Sequence, residues 1–135
     1  TGTLPEIDFI KERALWDLVI EANKCEILEF ANSVGVGGVA ITLAKMACIE
    51  QIGGNFDMIV DADRDIFDES FSRAIVGVKN ETEFLKLAKN SGLKFAKLGV
   101  SGGETFKINE ISVQIKQLAE IYFNKFSQII KGETF

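Results

Sequence analysis

The chain has 135 residues, 47% of them hydrophobic and 26% charged, with a net charge of −5, which is the size and composition of one globular domain. Its acids outnumber its bases, and Lys and Arg are dispersed, so the basic footprint of a nucleic-acid binder is missing. No apolar run approaches the ~20 residues of a membrane span and no basic-then-apolar leader opens the sequence; a cytoplasmic protein with no membrane partner is expected.

Pro5, Glu6 and Asp8 suit the positive end of a helix, and Ile7, Ile10, Ala14, Leu15, Leu18, Val19 and Ala22 continue it at helical spacing to about Asn23. CEILEFANSV is short, apolar and closed by Gly35, Gly37 and Gly38, which predicts a strand and a turn. VAITLAKMACIEQ, 39–51, is apolar on nearly every side and predicts a buried helix ended by Gly53 and Gly54. FDMIV, 56–60, reads as a strand, DADRDIFDES as an acidic connection, and FSRAIVGVK, 71–79, as a β-branched strand. Asn80 and Glu83 form a capping-box opening for a third helix that stops at Gly92. FAKLGV and TFKIN predict strands paired across Ser101, Gly102 and Gly103. Ile115, Leu118, Ala119, Tyr122, Phe126, Ile129 and Ile130 stripe a closing helix. The expected fold is α/β (α+β): one domain, 1–135, with a mixed sheet and about four helices.

Two readings of ANSVGVGGVAITLAKMA, 31–47, stand side by side. Gly35, Gly37 and Ala40 satisfy a loose dinucleotide pattern, with Asp57 or Asp61 as the ribose acid; the alternative is a tight corner that packs a helix against its strand without ligand. A Walker loop is excluded, since no GK[ST] follows. Asp61, Asp63 and Asp65 have the spacing that opens a calcium loop, but Ile66 and Ser72 stand where glycine and the bidentate glutamate belong. With no histidine, and with Cys25 and Cys48 far apart, neither a nucleophilic triad nor a zinc site can be composed. Catalytic and metal-binding residues are therefore expected to be absent, and Trp16 is expected to be a packing anchor.

The order of segments resembles the C-terminal domain of formylglycinamidine ribonucleotide synthases, in the superfamily of aminoimidazole ribonucleotide synthetase. PEIDFIKERALWDLVIEA is similar to that family's leading helix, ANSVGVGGVAITLAKMA to its AHDxSDGGLAVALAEMA segment, FDESFSRAIVGV to LFxESxSRxVVxV, and KLGVSGGETFKI to IGxVGGxxLxI. Where the family has His-Asp this chain has Asn32-Ser33, and where it has Ser-Asp this chain has Gly35-Val36. An acid of that segment is associated with a magnesium-bound nucleotide in larger relatives. Val36 cannot ligate a metal, so that role is not carried over.

The resemblance implies an ATP-dependent ligase of purine biosynthesis that phosphorylates an amide oxygen of formylglycinamide ribonucleotide and displaces it with ammonia. ATP and magnesium would belong to the complete enzyme and neither to this segment, which would be inactive alone. The partners would be upstream domains of the same chain, a glutaminase subunit and a small accessory subunit; the opening TGTLPE, without methionine, fits a piece of such a polypeptide. Asn32, Ser33, Gly35, Gly37 and Gly38 are the residues expected near substrate or phosphate. Glu69, Ser70 and Arg73, with Ser72 between them, are expected as structural or interdomain polar groups. The competing expectations are a non-catalytic docking or dimerisation module and a Rossmann-type nucleotide-binding domain.

Overall fold

The computed structural model describes residues 6–58 and 66–132. It has the mixed α/β fold expected, with four helices among the described residues, and it divides into two compact units. One comprises residues 1–42 and 67–96, the other 43–66 and 97–135.

The first unit is built on α1 (Phe9–Lys24), β1 (Leu28–Ser33), β3 (Ala74–Val78) and α3 (Glu81–Asn90). Asp8 starts α1, its carboxylate accepting the Ile10 and Lys11 N–H groups at 3.0 Å each, which supplies acceptors for donors that no helix can pair internally. Pro5, part of the expected start, lies outside the described residues. At the other end Glu26 takes a left-handed φ of 56° and Ile27 N–H returns to Ala22 O at 3.0 Å, a Schellman closure made without glycine. Asn80 caps α3 through Glu83 N–H, as its spacing predicts. β1 and β3 pair antiparallel, with Asn32 opposite Ile75 and Ser33 opposite Ala74. Helix α1 packs against both α3 and β1, and Ala22 and Ala88 are fully buried. Three expectations for α1 change: Ile7 precedes the helix, which begins at Phe9; Ile10 is 85% exposed; and Trp16, exposed as well, is held by Glu12 through its Nε1 at 2.8 Å instead of anchoring a core.

Helix α2 (Gly38–Glu50) buries Val39, Ala40, Thr42, Leu43, Ala47 and Cys48. Ile41, Lys45 and Ile49, four residues apart, form an exposed stripe, so the helix is not covered all round. It ends one turn earlier than the glycine pair: Gln51 has φ 55° and Ile52 N–H bonds Ala47 O at 3.2 Å. Gly53 instead lies where a side chain would strike backbone, its Cβ 2.2 Å from Thr105 O.

The second unit carries a four-stranded mixed sheet in the order β4-β2-β5-β6, with β2 (Gly54–Phe56), β4 (Gly99–Ser101), β5 (Thr105–Ile108) and β6 (Ile111–Gln114). The strand expected at 56–60 is shifted to 54–56, and residues 59 and 60 lie outside the described ones. β4 and β5 do not pair with each other as expected. β2 lies between them, antiparallel to β4 and parallel to β5, because Gly53 exchanges backbone bonds with the Gly102–Gly103 turn, at 2.9 and 2.8 Å. β5 forms its hairpin with β6, a strand the hydrophobic pattern did not reveal. Phe106, Ile108, Ile115 and Ala119 are buried here, and the rings of Phe56 and Phe106 meet at 5.9 Å. In α4 (Ile115–Ile130) the striping residues Ile115 and Ala119 are buried, while Tyr122, Ile129 and Ile130 are exposed; the Phe126 side chain lies outside the described ones.

Candidate functional site

The glycine turn and the ESFSR segment, more than 30 residues apart in sequence, come together within the first unit. β1 extends one bond past Ser33, since Val34 N–H donates to Arg73 O at 2.9 Å. The chain then turns through Gly35, whose carbonyl accepts Gly38 N–H at 3.0 Å, and enters α2. Gly37 and Gly38 both have positive φ, 82° and 64°. A Cβ on Gly38 would sit 2.5 Å from Phe67 C and 2.6 Å from Asp68 O. The bare backbone is needed at that position because the 67–68 main chain passes directly against it.

A helix start offers unpaired N–H groups and a partial positive charge, and so attracts an anion. The first turn of α2 contains no acid. The anion comes from Glu69, whose Oε1 accepts Gly37 N–H at 2.7 Å. Thr42 Oγ donates to Gly38 O at 2.8 Å, so this buried hydroxyl is also satisfied.

Arg73 bonds the loop that carries Glu69. Its Nε donates to Ser70 O at 3.1 Å, its Nη2 donates to Asp68 O, and the same Nη2 stands 3.4 Å from the Asp68 carboxylate. Ser70 Oγ donates to Asp68 Oδ2 at 2.5 Å. Asp68, which sequence reasoning did not single out, is thus the hub of the loop; its place two residues before a serine is the signal that could have found it. Ser72 has φ 58°, and its buried Oγ has no partner among the described residues.

The expected residues therefore fall into two groups. Gly37, Glu69, Ser70 and Arg73 belong to one bonded cluster, and Gly38 packs against its backbone. Asn32, Ser33 and Gly35 are exposed at its edge, and a Cβ on Gly35 would meet nothing within 4 Å. The dinucleotide reading fails on topology. A Rossmann turn joins neighbouring parallel strands, whereas β1 pairs antiparallel with β3 and β2 belongs to another sheet. Asp57, the ribose candidate, uses its N–H to bond Leu98 O at 2.7 Å; Asp61, Asp63 and Asp65 lie outside the described residues. Among the described residues no group of three or more His, Cys, Asp or Glu could hold a metal. An open, mostly apolar hollow of about 200 Å³ lies between α1 and β1, lined by Val19, Ile20, Leu28 and Phe30 with Asn23 and Glu29 as its polar members.

The first unit thus presents a strand-to-helix corner of a mixed α/β fold, at which the helix start is already met by a carboxylate of the same chain. The fold matches Thermotoga maritima phosphoribosylformylglycinamidine synthase II with a TM-score of 0.75 at 18% identity, covering 86% of this chain and 22% of that one. PurL of the same organism complexed with ATP gives 0.72 at 18%, over 87% and 23%, and the Thermotoga maritima PurLQS structure gives 0.74 at 17%, over 87% and 23%. No family model matches the chain. Among curated proteins, phosphoribosylformylglycinamidine synthase subunit PurL of Campylobacter hominis is 96% identical over all 135 residues, and that of Campylobacter curvus 61% identical over 132. The chain belongs to the phosphoribosylformylglycinamidine synthase family, and it spans 18% of the length of these relatives.

Proposed function

We propose that this chain is the C-terminal α/β domain of an ATP-dependent synthase that converts formylglycinamide ribonucleotide to formylglycinamidine ribonucleotide in the cytoplasm. The observation that carries the reading is 96% identity to a PurL subunit along the whole chain. Residues 1–135 act as one domain of that subunit, packed on its upstream domains. The complete enzyme uses ATP and receives ammonia from a glutaminase subunit, with a small accessory subunit in the assembly; the ATP complex and the PurLQS structure of Thermotoga maritima support this. The segment itself contributes a wall of the ligand cleft, with Asn32, Ser33 and Gly35 nearest to substrate or phosphate. It does not fit a magnesium site, because Val36 offers no ligand and no acidic cluster stands beside it among the described residues. No chemical step is assigned to its side chains.

A docking role within the assembly is favoured by the exposed half of α4, where Tyr122, Ile129 and Ile130 continue a stripe that begins buried. The test is to assay the full-length subunit with ammonia, ATP and formylglycinamide ribonucleotide, intact and with this segment deleted, and to titrate the isolated segment with ATP and magnesium. Amidine formation by the intact subunit alone, and no binding heat from the segment, are expected. Retained turnover after deletion, or micromolar ATP affinity of the segment, overturns the proposal.

A further inference from the structure

We infer that Arg73 is a positioning residue, acting through Asp68 and Ser70 to hold the Glu69 carboxylate against the start of α2. None of its bonds among the described residues goes to Glu69. They go to the residues on either side: Ser70 O, Asp68 O and the Asp68 carboxylate. Clamping Asp68 O fixes the peptide unit that enters residue 69, and clamping Ser70 O fixes the one a residue beyond it, so the backbone that carries the Glu69 side chain is held from both sides. Arg73 is itself fastened at the junction, since its carbonyl accepts Val34 N–H just beyond β1. One residue thus ties together the strand end, the acidic loop and, through Glu69, the helix start. The Arg73 and Asp68 side chains are 18% and 24% exposed, sheltered enough for the clamp to compete with water.

The chemistry demands a guanidinium. Two nitrogens of one planar group serve three acceptors on two residues, a pattern that the single ammonium of lysine cannot reproduce. The anion also has to come from a distance, because α2 has no acid in its own first turn. Glu69 lies 32 residues away from Gly37 in sequence, so the loop must be ordered before the cap can form.

Hydrogen exchange followed by mass spectrometry tests this in the chain and in the full-length subunit. Arg73→Lys should raise exchange in the peptide carrying Gly37 by about tenfold, the equivalent of one charge-assisted hydrogen bond. Glu69→Ala should do the same, and the double variant should be no worse than either single one, as coupled residues require. Exchange in α3 should stay unchanged in all three. Asp68→Ala supplies an independent reading should Arg73→Lys fail to fold, and should loosen the same peptide. Unchanged Gly37 exchange, additive effects in the double variant, or a uniform rise across the first unit would overturn the assignment.

Discussion

Replacing Gly38 by alanine probes the corner at which the glycine turn meets the acidic loop. At φ 64° an L-residue costs about 1 kcal/mol. The new methyl group would also fall 2.5 and 2.6 Å from Phe67 C and Asp68 O, main-chain atoms that cannot swing aside, and overpacking of that kind costs about 1–3 kcal/mol. The expected loss is about 2–4 kcal/mol, against total stabilities of about 5–15 kcal/mol for folded domains. Gly92→Ala is the control, since Gly92 has φ 71° in the same unit but its added Cβ meets nothing within 4 Å. It should lose only the conformational part, about 1 kcal/mol. Urea unfolding followed by circular dichroism measures both. With a slope of about 1–3 kcal/mol per molar urea, the two midpoints should separate by roughly 1 M. Equal losses in the two variants would refute the close approach of the 67–68 backbone.

Two other outcomes follow from local structure. Glu26→Gly should raise the urea midpoint, by about 0.5–1 kcal/mol of stability, because Glu26 is an exposed residue held at φ 56° beyond the end of α1; a lowered midpoint would mean that the Glu26 side chain contributes more than its strain costs. Cys48 is 1% exposed, and burial pushes its thiol pKa above the ordinary value. On raising the pH the unfolded chain therefore gives up this proton first, so stability present below the ordinary thiol range declines as the pH rises through it. Midpoints between pH 7 and 10 should fall more steeply in the native chain than in Cys48→Ala, and parallel curves would remove Cys48 from the explanation.

The start of α3 was legible and that of α1 only roughly, since Asp8 caps the helix instead of lying within its first turn. Asp8 and Asn80 bond N–H groups two or three residues ahead, a range that a sequence reader can scan. Helix ends were less so, because Glu26 and Gln51 accept a left-handed backbone that glycine would adopt more cheaply. The neighbouring Gly53 drew attention for the wrong reason, being required by the approach of Thr105. Strand pairing was misjudged where sequence neighbours suggested a hairpin. β4 and β5 look contiguous, yet β2 separates them, and nothing local records which distant strand fills a ladder.

The sequence by itself determined the mixed α/β class, the Asn80 helix cap and the likeness to the synthase family, because each rests on short-range chemistry or on the order of segments. Only the tertiary structure decided what that turn does. Gly37 and Glu69 are bonded across 32 residues, and Arg73 bonds the residues on either side of Glu69. A carboxylate meets a helix start at that separation only after the intervening chain has folded back, so the pairing is a property of the packed backbone and leaves no periodicity to read.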